Sequence, residues 1–359
     1  MKILYAAAES SNFVINLCNE FAKRGHKVTC IVQDFDAYDK ENPIREHQSL
    51  TVFKLPMETF LNNIRFEKII NKHLDEGEFD VVFCSHAVIC PPVIVSAKKH
   101  EVPVGVMLLD IPTDLMEQQP KRKTQWDYWF NFLRAADVIM VNTYVAGEEY
   151  ERYTGQPIDK ETEIVTYAIN KSIMFKNKGM DKRGDYVLSI CRLTELKNCI
   201  LIPKAIKASN LDLKYVAVGR NGGQLDEIMK YCADNNIRFE HYNNVSEYRK
   251  FRLIEDCAML IYPQKSEYIG GLSPFEAMYV GKPAVVPKVR VLQDLYGDHA
   301  YYFKNDDAES LGEIMAILSV VDLDQSKEFL EKASDFADEE ADFGNMAEKM
   351  LKRMERMIK

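Results

Sequence analysis

Short apolar runs alternate with amphipathic stretches along the whole chain of 359 residues, and the series runs twice. Ile3–Ala8, Val28–Val32, Val52–Leu55, Val81–Cys84, Val104–Leu109 and Val138–Val141 form the first set. Tyr186–Ile190, Tyr215–Val218, Met259–Tyr262 and Ala284–Val286 form the second, in which Arg238–Glu240, charged at both ends, also reads as a strand. A strand that is apolar throughout is buried on both faces, and amphipathic helices between such strands cover them. The pattern therefore predicts two parallel sheets covered on both faces, an α/β fold. The first helix shows the local logic. Phe13, Leu17, Phe21 and Ala22 share one face, Lys23 and Arg24 suit the C-terminal end of the helix dipole, and Gly25 stops it.

Between the two sets lies Lys176–Asp185, polar, charged and glycine-containing, which reads as a linker. The expected organisation is an N-terminal domain over 1–175, the linker over 176–185, a second domain over 186–340 and a terminal helix over 341–359. In that helix Phe343, Met346, Ala347, Met350, Leu351, Met354, Met357 and Ile358 fall on one face, which needs an apolar surface to cover.

Composition removes several classes. With 47% hydrophobic and 28% charged residues the chain is neither disordered nor fibrous. Lys plus Arg minus Asp plus Glu gives 46 − 55 = −9, a poor balance for a nucleic-acid partner. Eight cysteines stand at 18, 30, 84, 90, 191, 199, 232 and 257, no two of them three apart. C-x-x-C redox pairs and zinc knuckles are thereby excluded, and reduced core cysteines are expected. Lys2-Ile3-Leu4-Tyr5 carries no signal-peptide pattern, and no apolar run approaches the ~18 residues of a membrane span. A soluble cytoplasmic protein is the expectation.

Three segments at strand ends carry candidate chemistry. The richest is Tyr262–Met278, where Gly270 and Gly271 let backbone approach a ligand and a helix follows. Ser273 at the N-cap, Pro274 at N1 and Glu276 at N3 read as a capping box. The amides of Gly270, Gly271 and Leu272 would then face an anion, with Glu267 at the loop mouth. The second segment, Ser189–Asn198, sets Arg192 and Lys197 five residues apart at a strand's carboxyl end, where two cations suit a diphosphate or form a solvated basic loop. The third, Gly219–Gly223, departs from G-x-G-x-x-G at Asn221 and reads equally as a plain strand–helix turn.

In the first half, His86 and Asp110 follow strands, as substrate contacts or as loop and cap residues. Lys121–Phe130 places three cations beside both tryptophans, a pattern for a membrane surface or for a charged turn before a buried helix. No order of residues supports hydrolase chemistry.

Taken together these pieces resemble glycosyltransferase family four, retaining enzymes of the two-domain GT-B architecture. Phe21–Val28, Ala136–Asn142, Ser189–Lys197, Gly271–Met278 and Gly281-Lys282-Pro283 carry the resemblance. It implies two Rossmann-like, doubly wound parallel-sheet domains facing a cleft, with the C-terminal helix packing back toward the N-terminal domain. It also implies a metal-independent transfer, without cofactor, of a hexose from a UDP- or GDP-sugar to a hydroxyl acceptor, a glycan or a lipid-linked compound.

By the resemblance Arg192 and Lys197 would hold the diphosphate, Glu276 the ribose, and Glu267 with the loop from Gly270 to Leu272 the hexose. Ser189, Gly219, Tyr268, Ile269 and Ser273 would complete the donor site. His86 and Asp110 would stand near the reacting carbon, with Ser10 and Ser11 on the acceptor side. The sequence departs from the family in places. Eight residues separate Glu267 from Glu276 where the family has seven, so counting back from Glu276 puts Tyr268 at the first acidic position. Ala6–Ser11 replaces a glycine-rich turn, and Leu109 stands where a second histidine is usual. A non-catalytic sugar-nucleotide binder of the same fold and a sugar-nucleotide epimerase are the competing readings.

Overall fold

The computed structural model describes residues 1–8, 11–33, 45–109, 120–159, 164–182, 184–266, 270–321 and 323–359. They form two compact units, Met1–Ala168 with Phe343–Lys359, and Ile169–Asp342. Each unit is built on one six-stranded parallel sheet, the α/β layout predicted from the apolar runs.

In the first unit the strands are β1 (Lys2–Ala7), β2 (Lys27–Gln33), β3 (Leu50–Leu55), β4 (Val81–Ser85), β5 (Val104–Leu108) and β6 (Val138–Val141). The helices of this unit are α1 (Ser11–Lys23), α2 (Met57–Phe60), α3 (Asn63–Glu76), α4 (Cys90–Lys99), α5 (Lys123–Leu133) and α6 (Tyr144–Thr154). The sheet order is β3-β2-β1-β4-β5-β6, with Ile3 level with both Val28 and Val81. β1, β4, β5 and β6 are buried along nearly their whole length, as their unbroken apolar sequences require. β3, at the edge, is mostly exposed, and Phe53 projects from it.

In the second unit the strands are β7 (Tyr186–Ile190), β8 (Lys214–Val218), β9 (Phe239–Tyr242), β10 (Met259–Ile261), β11 (Ala284–Pro287) and β12 (Tyr301–Phe303). Its helices are α7 (Leu201–Ser209), α8 (Leu225–Asp234), α9 (Glu247–Asp256), α10 (Ser273–Val280), α11 (Arg290–Tyr296), α12 (Ala308–Val320) and α13 (Leu323–Glu340). The order is β12-β11-β10-β7-β8-β9. β12 is the strand the sequence pattern does not announce. Its three aromatic residues are too few for a period, and pairing with β11 alone makes them a strand.

The last helix, α14 (Phe343–Ile358), returns to the first unit, as the resemblance implied. Met346, Met350, Leu351 and Met354 are buried in one core with Tyr5, Leu17, Phe21 and Phe83. Arg24 caps the junction by donating to the Gly344 carbonyl at 3.2 Å. Four buried side chains at roughly 1.5–3 kcal/mol each make this helix a large contributor to the unit's stability.

The polar stretch 176–185 lies inside the second unit rather than between units. The Asn177 amide donates to the Tyr279 carbonyl (3.0 Å), the Gly179 amide to Val280 (2.8 Å), and Lys282 Nζ to the Lys182 carbonyl (2.6 Å). Its backbone is thus paired with the second unit, and its lysines form ion pairs there, Lys176 with Asp338 (2.8 Å) and Lys182 with Asp256 (2.6 Å).

Candidate functional site

In each sheet the chain reverses its direction of growth once, between β1 and β4 and between β7 and β10. Loops leaving the carboxyl ends of two such strands diverge to opposite faces, which opens a crevice where ligands bind in this class of sheet. Both sequence segments with the strongest chemistry leave the second reversal. Ser189–Asn198 follows β7 and Tyr262–Met278 follows β10.

The first loop is held by its backbone. The Leu193 amide donates to the Arg220 carbonyl (2.9 Å), and the Cys191 amide to Val218 (3.0 Å). Gly219 makes this possible: its φ is +144°, and a Cβ there would stand 2.0 Å from the Cys191 carbonyl oxygen. Its own carbonyl accepts from His241 Nε2 at 2.8 Å. Arg192 leaves this frame exposed: its carbonyl accepts from the Thr194 amide (2.9 Å), while its guanidinium has no hydrogen bond or ion pair to another described residue. Its fork therefore stands ready for oxyanions.

Lys197 is placed differently. Its ammonium donates to Tyr262 Oη (2.7 Å) and to Gln264 Oε1 (2.9 Å), and lies 4.9 Å from the Tyr262 ring centre. Tyr262 Oη in turn donates to the Gly270 carbonyl at 3.0 Å. A Cβ on Gly271 would come 2.6 Å from the Tyr262 ring, so that glycine is required by close packing. One tyrosine thus ties the cationic loop to the glycine loop. Tyr262 and Gln264 were not singled out by their types; only their position just after β10 marks them.

The glycine loop differs from its expected form in two respects. The Gly271 amide is not open, because it donates to Tyr296 Oη (3.3 Å), which itself donates to the Gly271 carbonyl (2.7 Å). The capping box is also absent. Leu272 is the N-cap, and Ser273 opens the helix with its buried hydroxyl unpartnered among the described residues. Glu276 instead meets Lys250 Nζ of α9 at 2.8 Å, and Glu247 shares that ammonium at 2.9 and 3.0 Å. A buried charge pair outweighs a cap hydrogen bond, which turns the carboxylate away from its own helix end. Burial pushes the Glu276 carboxyl up against the pull of Lys250. The two carboxylates hold the Lys250 ammonium above its ordinary value in spite of burial. Lys250 lies 26 residues from Glu276, and no local pattern pointed to it.

Ser189 is fully buried, and its hydroxyl shares a hydrogen bond with Tyr215 Oη at 2.8 Å. Its side chain therefore faces the core beneath the strand end. In Gly219–Gly223, Asn221 Oδ1 accepts from the amides of Gly223 (2.9 Å) and Leu225 (3.3 Å), the strand–helix turn of the two readings.

In the first unit His86 ends β4, next to the reversal, with φ at +83°. A histidine in the left-handed region is uncommon and marks a place where the surroundings impose the conformation. Its carbonyl accepts from the Ile89 amide (3.3 Å) and the Cys90 thiol (3.2 Å). In the basic segment Lys121, Arg122 and Lys123 are exposed, whereas Trp126, Trp129 and Phe130 are buried. Ser10, Asp110, Glu267, Tyr268, Ile269 and the Ser11 side chain lie outside the described residues. No group of three or more His, Cys, Asp or Glu is gathered to hold a metal, and no helix is long and apolar enough to cross a membrane, among the described residues.

Comparison with known proteins bears on this geometry. Residues 10–165 match the family model described as Glycosyltransferase Family 4, and residues 170–334 match Glycosyl transferases group 1. Comparison with curated proteins gave no match. Among solved structures, sucrose-phosphate synthase from Thermosynechococcus elongatus superposes with a TM-score of 0.80 at 14% identity, covering 99% of both chains. HepE of Anabaena, in complex with UDP and glucose, gives 0.75 at 14% identity over 99% of this chain and 100% of that one. A UDP-forming trehalose-phosphate synthase from Burkholderia xenovorans gives 0.73 at 10% identity over 99% of both. These likenesses establish the shared fold.

Proposed function

Since the chain belongs to glycosyltransferase family four and is a glycosyltransferase with the GT-B fold, we propose that it is a retaining enzyme that moves a hexose from a nucleoside-diphosphate sugar, UDP- or GDP-linked, to a hydroxyl acceptor. The observation that carries this reading is the meeting of two loops at the β7–β10 reversal, where Lys197 and the glycine loop share Tyr262. Two cations, Arg192 and Lys197, lie where a diphosphate would sit in such a sheet. Charge grows on the leaving nucleotide as the sugar departs. Fixed ammonium and guanidinium groups stabilise that charge without needing to reorganise, so the reading requires no metal.

Glu276, held by Lys250, is positioned to accept from ribose hydroxyls, and the orphan hydroxyl of Ser273 offers a polar contact at the start of α10. The complex of HepE with UDP and glucose supports a nucleotide-sugar ligand for this fold. In the first unit we assign His86, in its imposed left-handed conformation, as a contact for the hydroxyl acceptor. Lys121, Arg122 and Lys123 supply the charge for a peripheral contact with anionic lipid, which would suit a lipid-linked acceptor.

The direct test is calorimetric titration with UDP and GDP, followed by incubation with UDP- and GDP-hexoses and detection of released nucleotide. Binding of one diphosphate, and retention of anomeric configuration in the product, support the reading. Failure of both nucleotides to bind overturns it.

A further inference from the structure

Cys191 and Cys199 stand on either side of the segment that carries Arg192 and Lys197, and their Sγ atoms are 3.2 Å apart. Cys191 is partly exposed at the end of β7, whereas Cys199 is buried at the approach to α7. We propose that these two thiols are a reversible dithiol–disulfide site that gates the diphosphate-binding loop, an inference that rests on the donor reading above for its functional consequence.

Three observations support it. The sulfurs are already in contact, and closing from 3.2 Å to the roughly 2.05 Å of a disulfide is a movement of about 1.2 Å. The more accessible sulfur is also the better nucleophile. The thiol of Cys199 and the Lys197 ammonium hold Cys191 below its ordinary value, while the same contact and burial push Cys199 up. A thiol beside a cation is the more reactive kind. Finally, the loop between them is tied to its neighbours at Leu193, Lys197 and Asn198, so a pull at its base is passed along the loop rather than absorbed by slack. Its Lys197 amide donates to the Thr194 carbonyl (3.0 Å), Asn198 takes φ +51°, and Asn198 Nδ2 donates to Asp306 (2.9 Å). Covalent closure at its base therefore alters where Arg192 and Lys197 point.

The oxidant is a low-molecular-weight disulfide such as glutathione disulfide. The Cys191 thiolate attacks one of its sulfurs, the S–S bond breaks and one glutathione thiolate leaves. The Cys199 sulfur, losing its proton, then attacks Cys191 Sγ and expels the second glutathione. Two protein thiols are oxidised, one external disulfide is reduced to two thiols, and a dithiol reductant reverses the sequence.

The test treats the full chain with glutathione disulfide, maps disulfides by mass spectrometry of unreduced peptides, and titrates UDP and GDP into reduced and oxidised protein. A Cys191–Cys199 link, with nucleotide affinity about tenfold or more weaker and restored by dithiothreitol, is expected from the loss of one charge-assisted contact. The Cys191→Ser variant should bind nucleotide like the reduced parent and ignore the oxidant. No Cys191–Cys199 link under conditions that oxidise an exposed control thiol overturns the site. A link that leaves affinity unchanged overturns the gating. Reduced protein that binds neither nucleotide overturns the donor reading and the gate together, while the peptide map alone then decides whether the thiols pair.

Discussion

The Lys197 ammonium donates to the Tyr262 hydroxyl at 2.7 Å, across 65 residues of sequence. That contact joins the loop after β7 to the loop after β10, since the Tyr262 hydroxyl in turn donates a hydrogen bond to the Gly270 carbonyl. The hydroxyl is thus both acceptor and donor inside the proposed donor site. Tyr262→Phe removes both bonds while keeping the ring against Gly271. A loss of about 1–3 kcal/mol is expected, because Lys197 and the Gly270 carbonyl each lose a partner. Urea denaturation measures it, and an unchanged midpoint would show the link to be incidental.

Arg192 and Lys197 should separate cleanly. The Arg192 side chain is exposed and without a partner among the described residues, so Arg192→Ala should leave stability within about 0.5 kcal/mol of the parent. UDP or GDP affinity should nevertheless fall about 10- to 100-fold. Lys197→Ala should lower both affinity and stability, because its ammonium also holds Tyr262 and Gln264. Parallel calorimetry and thermal melts distinguish the two, and equal loss of stability in both variants would contradict the assignment.

Lys250 sits between Glu276 and Glu247, and neither carboxylate has another described cation within ion-pair distance. Lys250→Met should cost about 3–5 kcal/mol, because Glu276 is left buried and uncompensated. Adding Glu276→Gln to that variant should recover part of the loss. A single-variant cost below about 1 kcal/mol would mean that the pair is solvated in solution.

Gly219 and Gly223 both take positive φ, +144° and +112°, but only Gly219 has backbone against its missing side chain. Gly219→Ala should therefore cost about 2–4 kcal/mol through clash and strain together, and Gly223→Ala about 1–2 kcal/mol through strain alone. The comparison is made by chemical denaturation of the two variants. Equal costs would show that the Cys191 carbonyl moves aside freely.

His100 gives a pH dependence of defined sign. Its Nε2 lies 2.9 Å from Asp75 Oδ1 and its Nδ1 2.8 Å from the Ser96 carbonyl. The Asp75 carboxylate first, and the carbonyl second, raise the imidazolium above its ordinary value of 6.5. The stabilisation is therefore fully present below 6.5 and is lost as pH rises through the raised value. The pair is near the surface, so the amplitude should stay under about 1 kcal/mol. Denaturation of the parent and of Asp75→Asn between pH 5.5 and 8.5, about a unit below and two above the ordinary histidine value, checks it. A slope that survives in the variant would assign the effect elsewhere.

Much of the fold was legible in the sequence because burial leaves a local mark. β1, β4 and β7 are mainly apolar because helices cover both faces of the sheet, and the methionine face of α14 announced a core that had to lie elsewhere. The candidate site was legible in part, since ligand-binding loops follow strand ends and Arg192, Lys197 and the glycine pair stand there. The capping box misled, because Ser273 and Glu276 have the right spacing while a lysine 26 residues away takes the carboxylate.

By itself the sequence determined the two sheets, their strands save β12, and the loops that bear charge and glycine. The tertiary structure alone decided the strand order that places β7 beside β10 and the contacts of Tyr262, Lys250 and Cys199. The physical reason is range. Periodicity records whether a residue faces solvent or core within a few turns of chain. A hydrogen bond or ion pair between distant segments depends on which strands become neighbours, and no spacing within either segment encodes that.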